Sequence, residues 1–106
     1  TAAGGAALYN NTAGSENTAV GFLTLSLNTL GFFNTAIGSN ALRFNAINFT
    51  AEVSASYNTA NGAFALMNNI AGSYNTAEGY QACYTDEAGN GNTASGVDAL
   101  YTSYGN

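Results

Sequence analysis

Six carboxylates are the main groups in this sequence that could take part in acid–base or metal chemistry, because the chain contains no histidine. Only Asp86 and Glu87 are adjacent, at a predicted corner of the fold, and they lack the series of oxygen ligands that a calcium loop supplies. We interpret this pair as a solvated corner, against the alternative of a metal site. The carboxylates are Glu16, Glu52, Glu78, Asp86, Glu87 and Asp98.

The strings that mark common catalytic sites do not occur in the sequence. It contains no G-x-S-x-G nucleophile string, no P-loop and no dinucleotide-binding fingerprint. We therefore predict that the chain is not an enzyme and that it uses no cofactor and no metal.

Two asparagines stand in N-x-[ST] sequons, which accept N-linked glycans in secreted proteins. Asn10 begins the string N-N-T, and Asn48 begins the string N-F-T. Sequons also arise by chance in a sequence so rich in Asn and Thr. At this point Asn10 and Asn48 are either glycan acceptors or ordinary surface asparagines.

A tandem repeat positions all of these side chains. It is built on the string N-T-A-x-G, and the period is seventeen except between the second and third full copies, where it is longer by seven. Such a short period indicates that each copy is one supersecondary unit, which buries its apolar face against the next copy. A truncated copy occupies residues 1–4, and the full copies begin at Asn17, Asn34, Asn58, Asn75 and Asn92.

Alternation of side chains along a strand predicts which residues of each copy face the interior. The Asn, Ala and Gly of N-T-A-x-G fall on one face, and Thr and x fall on the other. The x position varies from Val20 to Glu78, which indicates an exposed surface. A second inward column lies four residues after the glycine and consists of Leu8, Leu25, Leu42, Leu66, Cys83 and Leu100.

We therefore predict an all-β fold, a parallel β-solenoid of about six coils, each as long as one period of the repeat. Each coil should read strand, glycine corner, strand, Asn/Gly corner. Successive coils should stack about 4.8 Å apart, and asparagine ladders at the corners should support the stack.

The whole chain, residues 1–106, is predicted to be a single domain. Within it, the region 43–57 carries seven residues more than the other coils do, around residues 45–54. Insertions of this kind generally leave a solenoid as a loop on one face.

Cys83 is the single cysteine, so no intrachain disulfide can form. Because Cys83 stands in the leucine column, we predict a buried thiol that packs as a small hydrophobic side chain. The alternative is an intermolecular bridge or a reactive thiol.

Threonine and aromatic columns are predicted on the outside of the coil. Exposed apolar columns usually mark an interface, so the tyrosines are predicted to contact another protomer, with a sugar-stacking surface as the alternative. The threonines could bind ice, but a single threonine beside a variable x position is better explained by β propensity. The aromatic columns are Tyr9, Tyr84 and Tyr101 after the leucine column, and Phe33, Tyr57 and Tyr74 before the motif asparagine.

Composition limits the partners of the chain. It has one arginine, Arg43, no lysine, and a net charge of −5, which argues against nucleic acid. The same shortage of cations removes the basic face of a membrane-surface helix, and no apolar run approaches the roughly 18 residues of a membrane span. We predict no membrane insertion. Low charge with abundant Asn, Thr, Ser, Gly and Tyr is typical of exported fibres and surface proteins.

The two ends of the sequence predict self-association. The chain closes on Asn106 and opens on Thr1, so one copy followed by another writes N-T-A-A-G. Neither end carries the atypical capping unit of a solenoid that ends in solution, and an uncapped strand edge recruits another chain. We predict that Thr1 and Asn106 meet between copies in a head-to-tail filament, unless a longer covalent chain supplies the neighbour.

The strings N-T-A-V-G at residues 17–21 and N-T-A-I-G-S-N-A-L at residues 34–42 resemble repeats of a known family. They are similar to the head repeats of trimeric autotransporter adhesins, the YadA-like family, and to related N-T-A-V-G-x-x-A-L repeats of phage tail fibres and bacterial surface proteins. The resemblance covers the chain outside the insertion. It implies a left-handed parallel β-roll, often with three chains around one axis, in a fibrous adhesive element. The later coils depart from the pattern, with Asn61, Glu78 and Ser95 at the x position.

Together these observations predict a structural repeat unit of an extracellular or cell-surface fibre or filament, a virion fibre included, with adhesion as its task. Its predicted partners are copies of itself, in a head-to-tail filament or a trimer, and glycans of a host or surface. The alternative is a ligand-binding β-solenoid with a glycan-binding or ice-binding surface.

Overall fold

A computed structural model of the chain describes residues 1–47 and 54–105. In these ranges the regular structure is all β, without a helix, and each full copy of the motif forms one short strand. The strands are β1 (Ala2–Ala3), β2 (Thr18–Val20), β3 (Thr35–Ile37), β4 (Thr59–Asn61), β5 (Thr76–Glu78), β6 (Thr85–Asp86), β7 (Thr93–Ser95) and β8 (Thr102–Ser103).

Six of these strands form one parallel sheet in the order β1-β2-β3-β4-β5-β7. The register follows the repeat: Ala19 pairs with Ala36, and Ala60 pairs with Ala77. Across the insertion, Ala36 pairs with Ala60. The predicted parallel β-solenoid of about six coils is thereby confirmed.

The apolar interior contains the two predicted columns and, beside them, the small residues that directly precede the leucine column, such as Ala41, Ala65 and Ala82. The motif alanines are buried from Ala19 to Ala94, and they pack against the leucine column. Burial of one leucine side chain contributes about 1.5–3 kcal/mol. The fully buried members of the leucine column are Leu25, Leu42, Leu66 and Cys83.

The two ends of the leucine column differ from this prediction. Leu8 in the first coil is only partly buried, although it packs against the core. Leu100 is 48% exposed, so its predicted burial is wrong. The reason is that no coil of the described chain covers the far side of Leu100.

The segment after the glycine corner also departs from the predicted strand. It is a regular strand only in β6 and β8, which pair with each other. At the leucine column the backbone is left-handed, with φ of 47–54°, a conformation that costs a residue other than glycine about 1–2 kcal/mol. The coils remain hydrogen-bonded here nonetheless, since the N–H of Leu25 donates to the carbonyl of Ala41 at 3.1 Å.

The inserted residues occupy a narrow part of the region predicted to carry them. The coil register holds through Asn45, whose side chain accepts a hydrogen bond from Asn69 at 2.8 Å. It resumes at Ala55, whose carbonyl accepts from Asn45 and Asn34 at 2.8 and 3.0 Å, as a corner glycine does elsewhere. The extra residues therefore lie within 46–54, and residues 48–53 are outside the described ranges.

Candidate functional site

The outward face of the six-stranded sheet presents the threonines and the x residues of the motif, as predicted. Val20 and Ile37 are exposed in the early coils, and the polar side chains of Asn61, Glu78 and Ser95 take their place in the later ones. The threonines pair in register from strand to strand and form a single column. The face therefore changes from apolar to polar along the stack.

Buried asparagines form a first polar ladder between the coils, here called the motif ladder. The Oδ1 of Asn17 accepts the backbone N–H of Asn34 at 2.9 Å, and the three following steps repeat this bond at 2.8–2.9 Å. The Nδ2 of each member donates to a corner carbonyl of the next coil, as Asn75 does to Gly89 at 2.8 Å. In Asn17, Asn34, Asn58 and Asn75 both ends of the amide are thus used. The motif ladder consists of Asn17, Asn34, Asn58, Asn75 and Asn92.

A second buried ladder runs along the Asn/Gly corner and is here called the corner ladder. The Nδ2 of Asn28 donates to Oδ1 of Asn11, and that of Asn45 donates to Oδ1 of Asn28, both at 2.7 Å. The same Nδ2 groups donate to the carbonyl of the following corner, as Asn28 does to Gly31 at 2.9 Å. The corner ladder consists of Asn11, Asn28, Asn45, Asn69 and, at its last position, Asp86.

The corner ladder changes its chemistry at Asp86. The pairing of Asn68 with Thr85 sets Asp86 in register with Asn69. A carboxylate has no N–H to continue the ladder, and within the described residues Oδ1 of Asn69 is buried without a hydrogen-bond partner. A buried acceptor left in this state costs about 1–3 kcal/mol.

Asp86 itself is fully buried, so the predicted solvated corner is wrong for this residue. Its two oxygens accept hydrogen bonds from the backbone N–H of Gly89 at 2.9 Å and from Nδ2 of Asn92 at 3.0 Å. Glu87 next to it is exposed. The two carboxylates therefore lie in different environments and do not form a pair.

The thiol of Cys83 is buried, as predicted, and is free. Its Sγ lies 3.8 Å from Oδ2 of Asp86, to which the S–H donates. Burial, and then the neighbouring Asp86 carboxylate, raise the pKa of Cys83 from 9.0 to about 12. The thiol is therefore protonated at neutral pH and is a poor nucleophile there.

The aromatic columns are real stacks of rings. Phe33 and Tyr57 lie 5.2 Å apart with an interplanar angle of 10°, and Tyr57 and Tyr74 lie 5.0 Å apart at 1°. Tyr84 and Tyr101 stack at 5.0 Å and 4°. Rings that stack along the axis cover one another's faces and present mainly their edges to the side.

Tyr9 does not belong to the stack of Tyr84 and Tyr101, although it shares their position in the repeat. The intervening coils carry Ser26, Arg43 and Met67 at that position. Tyr9 is 77% exposed at the other end of the solenoid. The predicted contact residues Tyr9, Tyr84 and Tyr101 thus form two separate patches.

Of the remaining predicted site residues, the structure describes Asn10 and Thr1. Asn10 is half-buried, and its backbone N–H donates to the carbonyl of Ser26 at 2.9 Å. Thr1 is held in the first coil, because its amino group donates to the carbonyl of Asn17 at 2.7 Å. Asn48 and Asn106 lie outside the described residues.

The described end of the chain follows the corner register. Ser103 pairs with Asp86, so Tyr104 and Gly105 lie at the Asn/Gly corner. One full period of the motif after Asn92 would end three positions beyond Asn106, so Asn106 does not stand at the motif position of a further coil. Its meeting with Thr1 of another copy stays a prediction.

Sequence reasoning missed the break in the corner ladder. The available signal was the single aspartate, Asp86, at a position that holds asparagine in the other coils. Within the described ranges, no three His, Cys, Asp or Glu side chains are grouped as metal ligands. None of the described residues forms a helix of the length and hydrophobicity that crossing a membrane requires.

Comparison of the chain with protein-family models, with curated proteins and with solved structures returned no match. The resemblance to YadA-like and phage-fibre repeats, with its left-handed roll and three-chain assembly, therefore stays a prediction.

Proposed function

We propose that this chain is a structural repeat unit of an extracellular fibre or filament, with adhesion as its task. The observation that supports the proposal is the pair of asparagine ladders. In each ladder, side-chain amides form hydrogen bonds from one coil to the next, and the same atoms form the bond at each of these steps. A structure built in this way grows along one axis without a change in cross-section.

The direction of the ladders suits a load-bearing element. Their hydrogen bonds link successive coils, as the backbone bonds of the parallel sheet do, so they oppose separation of the coils along the stacking axis. Ladders of asparagine and stacked aromatic rings also stabilise other in-register parallel stacks. The solenoid therefore does not depend on its thin core of alanine and leucine alone.

Self-association is part of the proposed function, and the outer tyrosines are its proposed contacts. Tyr101 and Tyr9 are exposed at opposite ends of the solenoid, where apolar rings in water favour contact with another copy. Both the head-to-tail filament and the trimer remain open as the form of assembly.

Electron microscopy and sedimentation of the purified protein test the proposal. We expect filaments or defined oligomers whose proportion rises with protein concentration. Tyr101→Ser should weaken the assembly, whereas Glu78→Ser, on the sheet face, serves as the matched exposed control. Monomers at every concentration, with no effect of Tyr101→Ser, would count against self-association.

Adhesion needs a separate measurement. Beads coated with the protein should adhere to glycan-bearing cells more strongly than beads coated with an unrelated protein of equal charge. Equal adhesion of the two kinds of bead would contradict the adhesive task but not the proposed fibre.

The alternative function is a ligand-binding β-solenoid. Ice binding is the less favoured form, because the single threonine column lies beside x residues that change from Val20 to Glu78. Thermal hysteresis of the purified protein would instead favour ice binding over glycan binding. Glycan binding along the stacked rings is disfavoured because the rings cover one another's faces. Tyr74, at the end of its stack, is the exception.

A further inference from the structure

The aromatic column of Phe33, Tyr57 and Tyr74 ends at a glycine. These residues precede the motif asparagine in successive coils, and Gly91 occupies the same position in the coil that follows Tyr74. The rings below repeat at 5.0–5.2 Å. At Gly91 no side chain continues the stack.

The space above Tyr74 is open. Tyr74 is 64% exposed, against 46% for Tyr57 in the middle of the column, as expected for a ring with one uncovered face. A Cβ built on Gly91 would meet no atom within 4 Å. The structure therefore contains a slot for one flat ring, with Tyr74 as its floor and the backbone of Gly91 at its side.

The rim of the slot is polar and fixed by hydrogen bonds. The N–H of Gly91 donates to the carbonyl of Ser73 at 3.1 Å. Asn90 is exposed, and its Oδ1 accepts the N–H of Ser73 at 2.8 Å. The coil that carries Gly91 is thus held against the coil that carries Tyr74.

We propose that this slot binds one pyranose ring of a glycan, whose C–H face stacks on Tyr74 as the next ring of the column. A sugar fits these surroundings because its hydroxyl groups can stay hydrated at this exposed position while its C–H face covers the ring of Tyr74. A protein partner fits them poorly, since one ring face is far smaller than the roughly 1,000 Å² of a specific interface. The inference supplies a ligand for the proposed adhesion and in that respect rests on the proposed function.

Two substitutions at one position give a matched test. Gly91→Tyr fills the slot with the protein's own ring, and the backbone accepts it, because Tyr74 and Tyr57 already have φ of 62° and 59° at this position of the repeat, close to the 70° of Gly91. Gly91→Ala adds only a Cβ, which meets no atom within 4 Å and leaves the face of Tyr74 open. Alanine already adopts this left-handed conformation at Ala6 and Ala46, with φ of 57° and 50°. Tyr74→Leu removes the floor and keeps an apolar side chain.

Saturation-transfer NMR with methyl β-D-glucopyranoside measures the binding, with acyclic D-glucitol as the control polyol. We expect the unmodified protein and Gly91→Ala to saturate the ring C–H protons of the glucoside and not those of glucitol. Gly91→Tyr and Tyr74→Leu should bind about tenfold more weakly, the factor for loss of a stacking contact of about 1.4 kcal/mol. Thermal melting of each variant verifies that it is folded.

Absence of glucoside binding by the unmodified protein would overturn the inference, and so would undiminished binding by Gly91→Tyr. If Gly91→Tyr instead lowers the sedimentation mass of the protein, a ring of a second copy fills the slot and the inference is wrong. Filament formation is scored independently by microscopy, so a fibre without sugar binding contradicts only this inference, and sugar binding without a fibre contradicts only the proposed assembly.

Discussion

Asp86→Asn should make the protein more stable, because it completes the corner ladder. The introduced Nδ2 would face Oδ1 of Asn69, which now has no partner within the described residues. In the intact steps of this ladder the corresponding distances are 2.7–2.8 Å. The introduced Oδ1 can still accept the N–H of Gly89, which Asp86 accepts at 2.9 Å.

The expected gain is about 1–3 kcal/mol in the free energy of unfolding at pH 7, since satisfying a buried acceptor is worth that much. The substitution also removes a carboxylate from a fully buried position, which by itself is costly to desolvate. Against this stands the loss of the bond from Nδ2 of Asn92 to Asp86 at 3.0 Å. That loss is partial, since the same Nδ2 also donates to the carbonyl of Gly105 at 3.0 Å.

Urea unfolding followed by circular dichroism gives the free energy, and an unchanged slope with a shifted midpoint would identify a pure change in stability. Asn45→Asp is the matched reverse substitution, because it removes the donor to Oδ1 of Asn28; it should cost at least about 2 kcal/mol. An Asp86→Asn variant that is no more stable than the parent, beside a destabilised Asn45→Asp variant, would refute the reasoning. The contacts of Asp86 with Asn92 and Cys83 would then outweigh the completed ladder.

Three further predictions concern the core, the corners and the thiol. Leu66→Ala should cost about 2–5 kcal/mol in a denaturation experiment, whereas Glu78→Ser on the exposed face should be nearly silent; equal losses would mean that the two faces are inverted. Gly72→Ala should be strongly destabilising, because its Cβ would overlap a carbonyl of the next coil. Glu16→Gly should instead be neutral or up to about 1 kcal/mol stabilising, since Glu16 has a φ of 57°, which glycine adopts without strain. A lower melting temperature for Gly72→Ala and an equal or higher one for Glu16→Gly would agree with this reasoning. Cys83 binds its proton more tightly when folded, with a pKa raised from 9.0 to about 12, so its contribution to stability should be complete below pH 9 and decline from pH 9 towards 12. That decline should be absent in Cys83→Ala, and a thiol reagent at pH 8 should label the native protein only after unfolding.

The sheet and its core were predictable because the repeat links sequence position to spatial position directly. In a parallel stack, residues one period apart lie above one another, so Ala19 and Ala36 had to form a column once the period was read. The alternation of the motif then placed Val20 outside and Ala19 inside. The longer spacing between Asn34 and Asn58 was enough to locate the insertion between two coils.

The second segment of each coil was not predictable in the same way. Leu25 and Leu66 are inward-facing as expected, yet their backbones are left-handed, which no pattern of apolar residues announces for leucine. The packing of the coil offsets the cost of a conformation that the isolated residue disfavours. Leu100 shows the converse case, since its position in the repeat is that of a core residue but its exposure depends on what covers it.

The sequence by itself determined the period, the register and the inward columns, because these follow from the spacing of residue types along one chain. Only the tertiary structure decided which atoms of the asparagines meet, and that the carboxylate of Asp86 is buried and leaves Oδ1 of Asn69 without a donor among the described residues. It also decided that the rings of Tyr57 and Tyr74 stack while Gly91 leaves the next place open. The physical reason is that hydrogen bonds and ring contacts depend on the direction of each group relative to the coil above and the coil below. The local backbone of both coils sets that direction, together with the pairing of each atom with its neighbour. The spacing of residues along the sequence does not reveal it.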